Sequence, residues 1–328
     1  MNINYKLLWI DDSDDFVEST EELIKQTIRE CHMVPEIKVY NTFEQFKIGE
    51  LDNFELDAFN MFDQILVDYA LSGSTGDEII RAIRSQNIFT DIVFYSSNYD
   101  SMINDMKEKG QLDGVFFARR ENLTSAISNI IKKNLKREYS VANIRGIIMD
   151  STSEFDFICR TVSVALYDKL SPEKKKEVFE RALSFVNNAE EKSKGNFSDL
   201  SYLVSIKNDK KFLKEALFNV EYVMDNKDRY ELLSLIVKEF EFGENFTDSF
   251  AQEYFVNLIK PRNDLAHNKL YYGDCRKKLH IAKKREQSTC NHDCENCTSV
   301  YDINKCEEIR AKIYDYFLLL SNLNNNVG

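Results

Sequence analysis

Short runs of consecutive apolar residues punctuate the first third of this chain. Beyond about residue 150 they give way to apolar positions spaced three and four apart. The runs fall at residues 6–10, 64–67, 92–95 and 114–117, with a weaker one at 36–40. Continuous apolar strands alternating with helical segments predict a parallel sheet covered on both faces. The expected fold class for residues 1–137 is therefore α/β, a doubly wound five-stranded parallel sheet.

Leu123, Ile127, Ile130, Ile131 and Leu135 mark a helix with one buried stripe, and no Gly/Ser-rich linker follows through Val141, Ile144 and Ile147. Residues 138–328 read as a second, all-α domain. Phe155, Ile158, Val162 and Leu166 share one helix face, and Ser171 with Pro172 pairs a cap with a first-turn proline ahead of a helix over 173–191. Further amphipathic segments lie at about 208–226, 229–242, 248–259 and 303–322. The prediction is a helix bundle with an insertion at about 271–302 before its final helix.

Sites in doubly wound folds sit beyond the carboxyl ends of the strands, and the polar residues of the first domain gather there. Asp11 and Asp12 follow the first strand, Asp68 ends the third, and Ser96 with Ser97 ends the fourth. Three convergent carboxylates suit a hard cation such as Mg²⁺, bound through oxygen. The plainer alternative for residues 11–15 is a helix cap and a favourable dipole partner.

This constellation resembles the receiver domain of two-component response regulators, which has a flavodoxin-like fold. The resemblance implies that Asp11, Asp12 and Asp68 hold Mg²⁺ and that Asp68 accepts a phosphoryl group from a histidine kinase or another donor. Gly76 matches the glycine of the family's loop, and Ser72 replaces its usual proline. It further implies switch roles for Ser96, Phe117 and Arg119. Where the family carries lysine then proline, residues 118–121 read Ala-Arg-Arg-Glu, and the alignment is ambiguous by one residue.

The second domain carries its own chemistry in residues 262–267, which read Arg-Asn-Asp-Leu-Ala-His directly after Pro261. Histidine moves a proton near neutral pH, and arginine holds phosphoryl oxygens with a planar fork. On an ideal helix Asn263 and His267 share a face, whereas Arg262 is rotated roughly 140° from His267. One helix does not easily aim both at a single phosphate; two copies facing each other can. Pro261 fits the first turn of a new helix or a kink in a continuing one.

The segment resembles the Arg-x4-6-His motif of the HEPN superfamily, whose helical domains commonly dimerise. Many of them are metal-independent ribonucleases and others are noncatalytic. The resemblance implies that His267 acts as general base or acid, that Arg262 stabilises transition-state charge and that Asn263 orients the phosphate or imidazole. Its products would be 2′,3′-cyclic phosphate ends, in a stress or anti-phage role.

Composition refines this in three places. Ten glycines and three prolines fit helix-rich architecture. The first 135 residues hold 24 acidic against 13 basic side chains, and the remainder 31 against 30, so nearly all of the net charge of −12 belongs to the first domain. The second is thus not electrostatically closed to RNA. Arg276, Lys277, Lys278, Lys283, Lys284 and Arg285 form the densest positive charge and are candidate RNA-backbone contacts. Five of the seven cysteines fall within 275–306, where Cys290, Cys294, Cys297 and Cys306 have spacings that a tetrahedral Zn²⁺ accepts. The alternative is a set of reduced thiols. No apolar run approaches the length of a membrane span and no signal-peptide pattern opens the chain, so a cytoplasmic protein is expected.

The function expected from these readings is a receiver-regulated, homodimeric endoribonuclease of HEPN type. The alternative is a noncatalytic signalling module whose helical domain dimerises or binds a nucleotide or protein partner. A regulator reading duplex DNA is disfavoured by the absence of a helix-turn-helix signal.

Overall fold

The five apolar runs of the first third are strands of one sheet: β1 (Asn4–Ile10), β2 (Val34–Tyr40), β3 (Gln64–Asp68), β4 (Asp91–Ser96) and β5 (Val115–Arg119). They are parallel throughout, in the order β2-β1-β3-β4-β5. The structure is a computed structural model. It describes residues 3–46, 61–72, 74–85, 87–109, 114–192, 198–207, 211–220, 223–267, 269–272, 279–282 and 300–327. The chain divides into two compact units, Asn2–Glu138 and Tyr139–Gly328.

In the first unit the helices are α1 (Asp14–Glu30), a single turn α2 (Phe43–Phe46), α3 (Gly76–Ser85), α4 (Tyr99–Lys109) and α5 (Leu123–Glu138). Side chains alternate across a strand, so a run that is apolar throughout must be covered twice. Leu8, Ile10, Ile65, Val67, Ile92 and Phe94 supply one core together with Phe46, Ile80, Ile83, Met102 and Met106 of α2, α3 and α4. The alternate positions Leu7, Trp9, Leu66 and Val93 are also fully buried. There Phe16 of α1 meets the Trp9 ring edge-on at 6.0 Å, and α1 packs against α5. The stripe Leu123, Ile127, Ile130, Ile131 and Leu135 of α5 is buried.

The second unit is built on the long helix α6 (Val141–Tyr167), started by the Ser140 hydroxyl accepting from the Asn143 amide. Phe155, Cys159, Val162 and Leu166 of α6 are buried, and α10 (Asn226–Val237) and α13 (Ile303–Val327) pack along it. Between α6 and α10 lie α7 (Pro172–Lys192), α8 (Ser198–Ser205) and α9 (Phe212–Phe218). Ser171 caps α7 through the Lys174 amide, with Pro172 as its first residue.

Two expectations are corrected here. The helix expected to stop near residue 259 runs on: α11 (Phe250–Tyr254), a π-helical turn Phe255–Ile259 and α12 (Lys260–His267) are continuous. Pro261 has no amide hydrogen and its ring crowds the carbonyl four residues back, on Asn257. The widened turn lies where that crowding falls, and the Lys260 amide bonds the Phe255 carbonyl five residues earlier. The unit is also not purely helical. Residues 269–301 include an antiparallel sheet of β6 (Lys269–Tyr272), β7 (Leu279–Ala282) and β8 (Val300–Tyr301), with Leu270 opposite Ile281. Tyrosine, leucine and isoleucine at consecutive positions favour such strands over an amphipathic helix. No helix among the described residues is long and apolar enough to cross a membrane.

Candidate functional site

Parallel strands of similar register end together, so the residues that terminate β1, β3 and β4 meet at one edge. Asp11 is fully buried. Its Oδ1 accepts the Ser13 amide at 2.9 Å, and its Oδ2 accepts the Tyr95 hydroxyl. Tyr95 is itself bonded by the Trp9 indole N–H at 2.6 Å. Asp68 is 2% exposed, and its Oδ2 accepts the Ala70 amide at 3.0 Å. Asp12 is held by the amide and hydroxyl of Ser72. One carboxylate oxygen from each of Asp11, Asp12 and Asp68 lies within 4.8 Å of the other two. The plainer dipole role belongs to their neighbours, since Asp14 and Asp15 occupy the first turn of α1, whose N-terminal Ser13 makes no capping hydrogen bond through its side chain.

Among the described residues, one cation pairs with the buried members of this cluster. Arg120 donates from Nη2 to Asp68 Oδ1 at 2.9 Å and sits 3.7 Å from Asp11 Oδ2, its guanidinium 4.4 Å above the Phe16 ring. Arg119, the residue expected there, instead pairs with exposed Asp100 at 3.1 Å and lies over the Tyr99 ring. The correction follows from strand geometry. Successive side chains point to opposite sides, and Arg120 opens the 3₁₀ turn Arg120–Asn122 that ends β5. Ser96 is buried at the end of β4, its hydroxyl accepting the Asn98 amide at 3.0 Å. Phe117 is half-buried, its ring 6.1 Å from Phe94.

Burial pushes the Asp68 carboxyl above the usual carboxylate range, and the hydrogen bond and charge of Arg120 offset this only in part. For Asp12 burial acts in the same direction but is outweighed by the Ser72 hydrogen bonds, leaving the group below its ordinary value. Burial, followed by the charge of Asp11, raises Tyr95 well above an ordinary phenol, so its hydroxyl keeps its proton. The donor set is all oxygen and anionic, which fits a hard divalent ion such as Mg²⁺ and not a thiophilic one. Gly76 gives the cluster its depth. A Cβ there would stand 2.2 Å from the Asp68 carbonyl and 2.6 Å from Phe94, so only glycine lets α3 start this close.

In the helical unit Arg262, Asn263 and His267 all lie on α12. His267 is exposed, while Arg262 and Asn263 are half-buried, with Arg262 Nη1 donating to Asn263 Oδ1 at 3.2 Å. Arg262 lines a cavity of about 720 Å³ between α6, α9, α10 and α12, and His267 is not among its lining residues. Sequence reasoning missed the charged walls of that cavity. Asp156 of α6 accepts from Arg160 at 2.5 Å and from Arg229 of α10 at 2.8 and 2.9 Å. One signal was present: Asp156 and Arg160 form an i,i+4 pair flanking the buried positions Phe155 and Cys159.

Of the expected zinc ligands, Cys306 lies on α13 and is buried, and burial, with the charge of Asp302 adding, pushes its thiol up to about 11. Cys290, Cys294 and Cys297 lie outside the described residues, as do the basic side chains of Arg276, Lys277, Lys278, Lys283, Lys284 and Arg285. No protein-family model matches this chain, and no curated protein matches it.

Proposed function

We propose that the chain is a phosphorylation-controlled endoribonuclease, in which a receiver-type unit of flavodoxin-like fold regulates a helical unit of HEPN type. The observation that carries the switch half is the convergence of Asp11, Asp12 and Asp68 beside the Arg120 guanidinium at the carboxyl edge of the sheet. Asp68 attacks the phosphorus of a donor in line; the new O–P bond forms as the bond to the leaving group breaks, and that group departs with the electron pair. The three carboxylates would hold Mg²⁺, which would neutralise the phosphoryl charge. Arg120 then exchanges its carboxylate oxygen for phosphoryl oxygens, and the Ser96 hydroxyl donates to another.

In the helical half the exposed His267 takes the proton of an RNA 2′-hydroxyl, which attacks the adjacent phosphorus. The 5′-oxygen of the next nucleotide leaves and is protonated, giving a 2′,3′-cyclic phosphate and a 5′-hydroxyl. Arg262 stabilises the added charge on the phosphorane-like transition state. Because the two side chains leave one helix about 140° apart, two subunits complete the site. Residues 276–285 would hold RNA backbone, and Cys290, Cys294, Cys297 and Cys306 would hold a zinc ion that ties the insertion.

A second reading has its own support. Arg262 lines a charged cavity of its own chain without His267, which is the geometry of a noncatalytic binding module. Incubating mixed RNA with wild type and with His267→Ala separates the two: cleavage by wild type alone, with cyclic phosphate ends, supports the ribonuclease. No cleavage by either, with or without a small phosphodonor and Mg²⁺, rejects it. A mass gain from the phosphodonor that is lost in Asp68→Asn tests the switch separately.

A further inference from the structure

Trp9, Tyr95 and Asp11 form a line of hydrogen bonds that ends at the carboxylate cluster, and all three are fully buried. In the sheet Tyr95 is in register with Asp68, and β3 separates its strand from β1. Neighbouring strands lie about 4.8 Å apart, so β4 and β1 are separated by about 10 Å. A tyrosine reaches across that gap and carries a donor to the far side, which a phenylalanine would not. An indole N–H only donates and an ionised carboxylate only accepts, so the single hydroxyl proton of Tyr95 is committed to Asp11. The ring has no room to leave: Phe16 stands 6.1 Å away and the Arg120 guanidinium lies 5.9 Å from its centroid.

Asp11 thereby has a donor on each oxygen, the Ser13 amide at 2.9 Å on Oδ1 and the Tyr95 hydroxyl on Oδ2. Turning the carboxylate would break both bonds in a place without water to replace them, and each loss is costly there. Asp12 is held differently, by the amide and hydroxyl of the exposed Ser72. Of the two residues that follow β1, Asp11 is thus the one whose orientation is set from inside the sheet unit. Cations differ in what they ask of such a ligand. Mg²⁺ demands near-ideal octahedral geometry from few carboxylates, whereas Ca²⁺ accepts flexible and bidentate ones. A carboxylate that cannot turn favours the first.

We infer that Tyr95 is a positioning residue that sets the Asp11 carboxylate for Mg²⁺ and, by holding it rigid, selects Mg²⁺ over Ca²⁺. The inference rests on the reading of Asp11, Asp12 and Asp68 as a divalent-cation site. Tyr95 takes no part in phosphoryl transfer itself, because its hydroxyl bonds Asp11 and not the attacking Asp68.

The test is calorimetric titration of the full-length protein with MgCl₂ and, separately, with CaCl₂. Tyr95→Phe removes the hydroxyl and keeps the ring. Val93→Ala is the packing control: Val93 is also fully buried on β4, two residues away on the same side of the sheet, and its loss leaves the hydroxyl in place. Wild type should bind Mg²⁺ more tightly than Ca²⁺. Tyr95→Phe should weaken Mg²⁺ by about tenfold or more and Ca²⁺ by less, so that the preference narrows. Val93→Ala should bind both ions as wild type does, although it melts earlier. The inference is overturned if folded Tyr95→Phe binds Mg²⁺ as wild type does, if both ions weaken equally, or if Val93→Ala loses as much. Should Tyr95→Phe not fold, wild type decides alone: Ca²⁺ bound as tightly as Mg²⁺ overturns the inference without any variant. Binding of neither ion to wild type would remove the cation site itself, whereas unchanged binding in Tyr95→Phe would remove only the role of Tyr95.

Discussion

Replacing Asp68 with asparagine should stabilise the metal-free protein at neutral pH, although it removes one half of a buried ion pair. The oxygens of Asp11, Asp12 and Asp68 lie within 4.8 Å of one another, so with an effective dielectric near 20 each like-charge pair costs about 3.5 kcal/mol. Asp68 takes part in two such pairs. Its attraction to Arg120, at 2.9 Å, returns about 6 kcal/mol on the same scale. The balance is unfavourable by about 1 kcal/mol before the cost of burial, which agrees with the upward direction of the Asp68 carboxyl. The substituted amide would keep the volume of the carboxylate and an acceptor toward Arg120 while losing the charge. The expected gain is about 1 kcal/mol, and urea unfolding measures it cleanly. Trp9 is the only tryptophan, fully buried in the sheet unit, so its fluorescence reports that unit alone.

The pH dependence has a definite sign. A carboxyl raised by folding binds protons more readily in the native state, so its contribution is most favourable below its unfolded value and is lost as pH rises through the folded value. The advantage of Asp68→Asn should therefore be present at pH 7 and shrink toward zero near pH 4, where wild-type Asp68 is protonated as well. Mg²⁺ should reverse the order. Wild type gains about 1.4 kcal/mol at tenfold excess over its dissociation constant, while the variant, missing one ligand, gains less. A variant that is less stable than wild type by more than about 1 kcal/mol at pH 7 without Mg²⁺ would refute this reasoning and show the Arg120 pair to dominate.

Gly76→Ala should cost about 2–3 kcal/mol in the same fluorescence assay, because its Cβ meets the Asp68 carbonyl and the Phe94 ring. A change below about 0.5 kcal/mol, the range of ordinary surface substitutions, would show that α3 starts less tightly. Arg120→Ala should slow phosphoryl transfer from a small donor, measured by intact mass over time. Arg119→Ala, which removes a surface pair with Asp100 and a contact over the Tyr99 ring, should leave that rate unchanged and the stability within about 1 kcal/mol of wild type. Arg229→Ala should destabilise the helical unit by about 2–4 kcal/mol in far-ultraviolet circular dichroism melts, since Asp156 keeps only Arg160.

Much of the first unit was legible in the sequence because a strand buried on both faces writes itself as a continuous apolar run. Strands that end together bring forward whatever polar residues terminate them. Asp11, Asp12, Asp68 and Ser96 could be placed at one edge from that rule alone, whereas Gly76 was marked only by the resemblance to receiver domains. The buried stripe of α5 and the cap at Ser171 were equally local, resting on spacing and on one side chain beside one amide.

What the sequence left open was decided by orientation and by contacts far apart along the chain. Whether Arg119 or Arg120 meets Asp68 turns on one step of strand alternation, and only the position of the turn after β5 settles it. The passage of a helix through Pro261 depends on a widened turn that relieves the ring, a backbone accommodation with no local spelling. The cavity is the clearest case. Asp156 and Arg229 are 73 residues apart and meet because α10 packs along α6. Periodicity tells which face of a helix turns inward; only packing determines which other helix, and therefore which charges, that face will find.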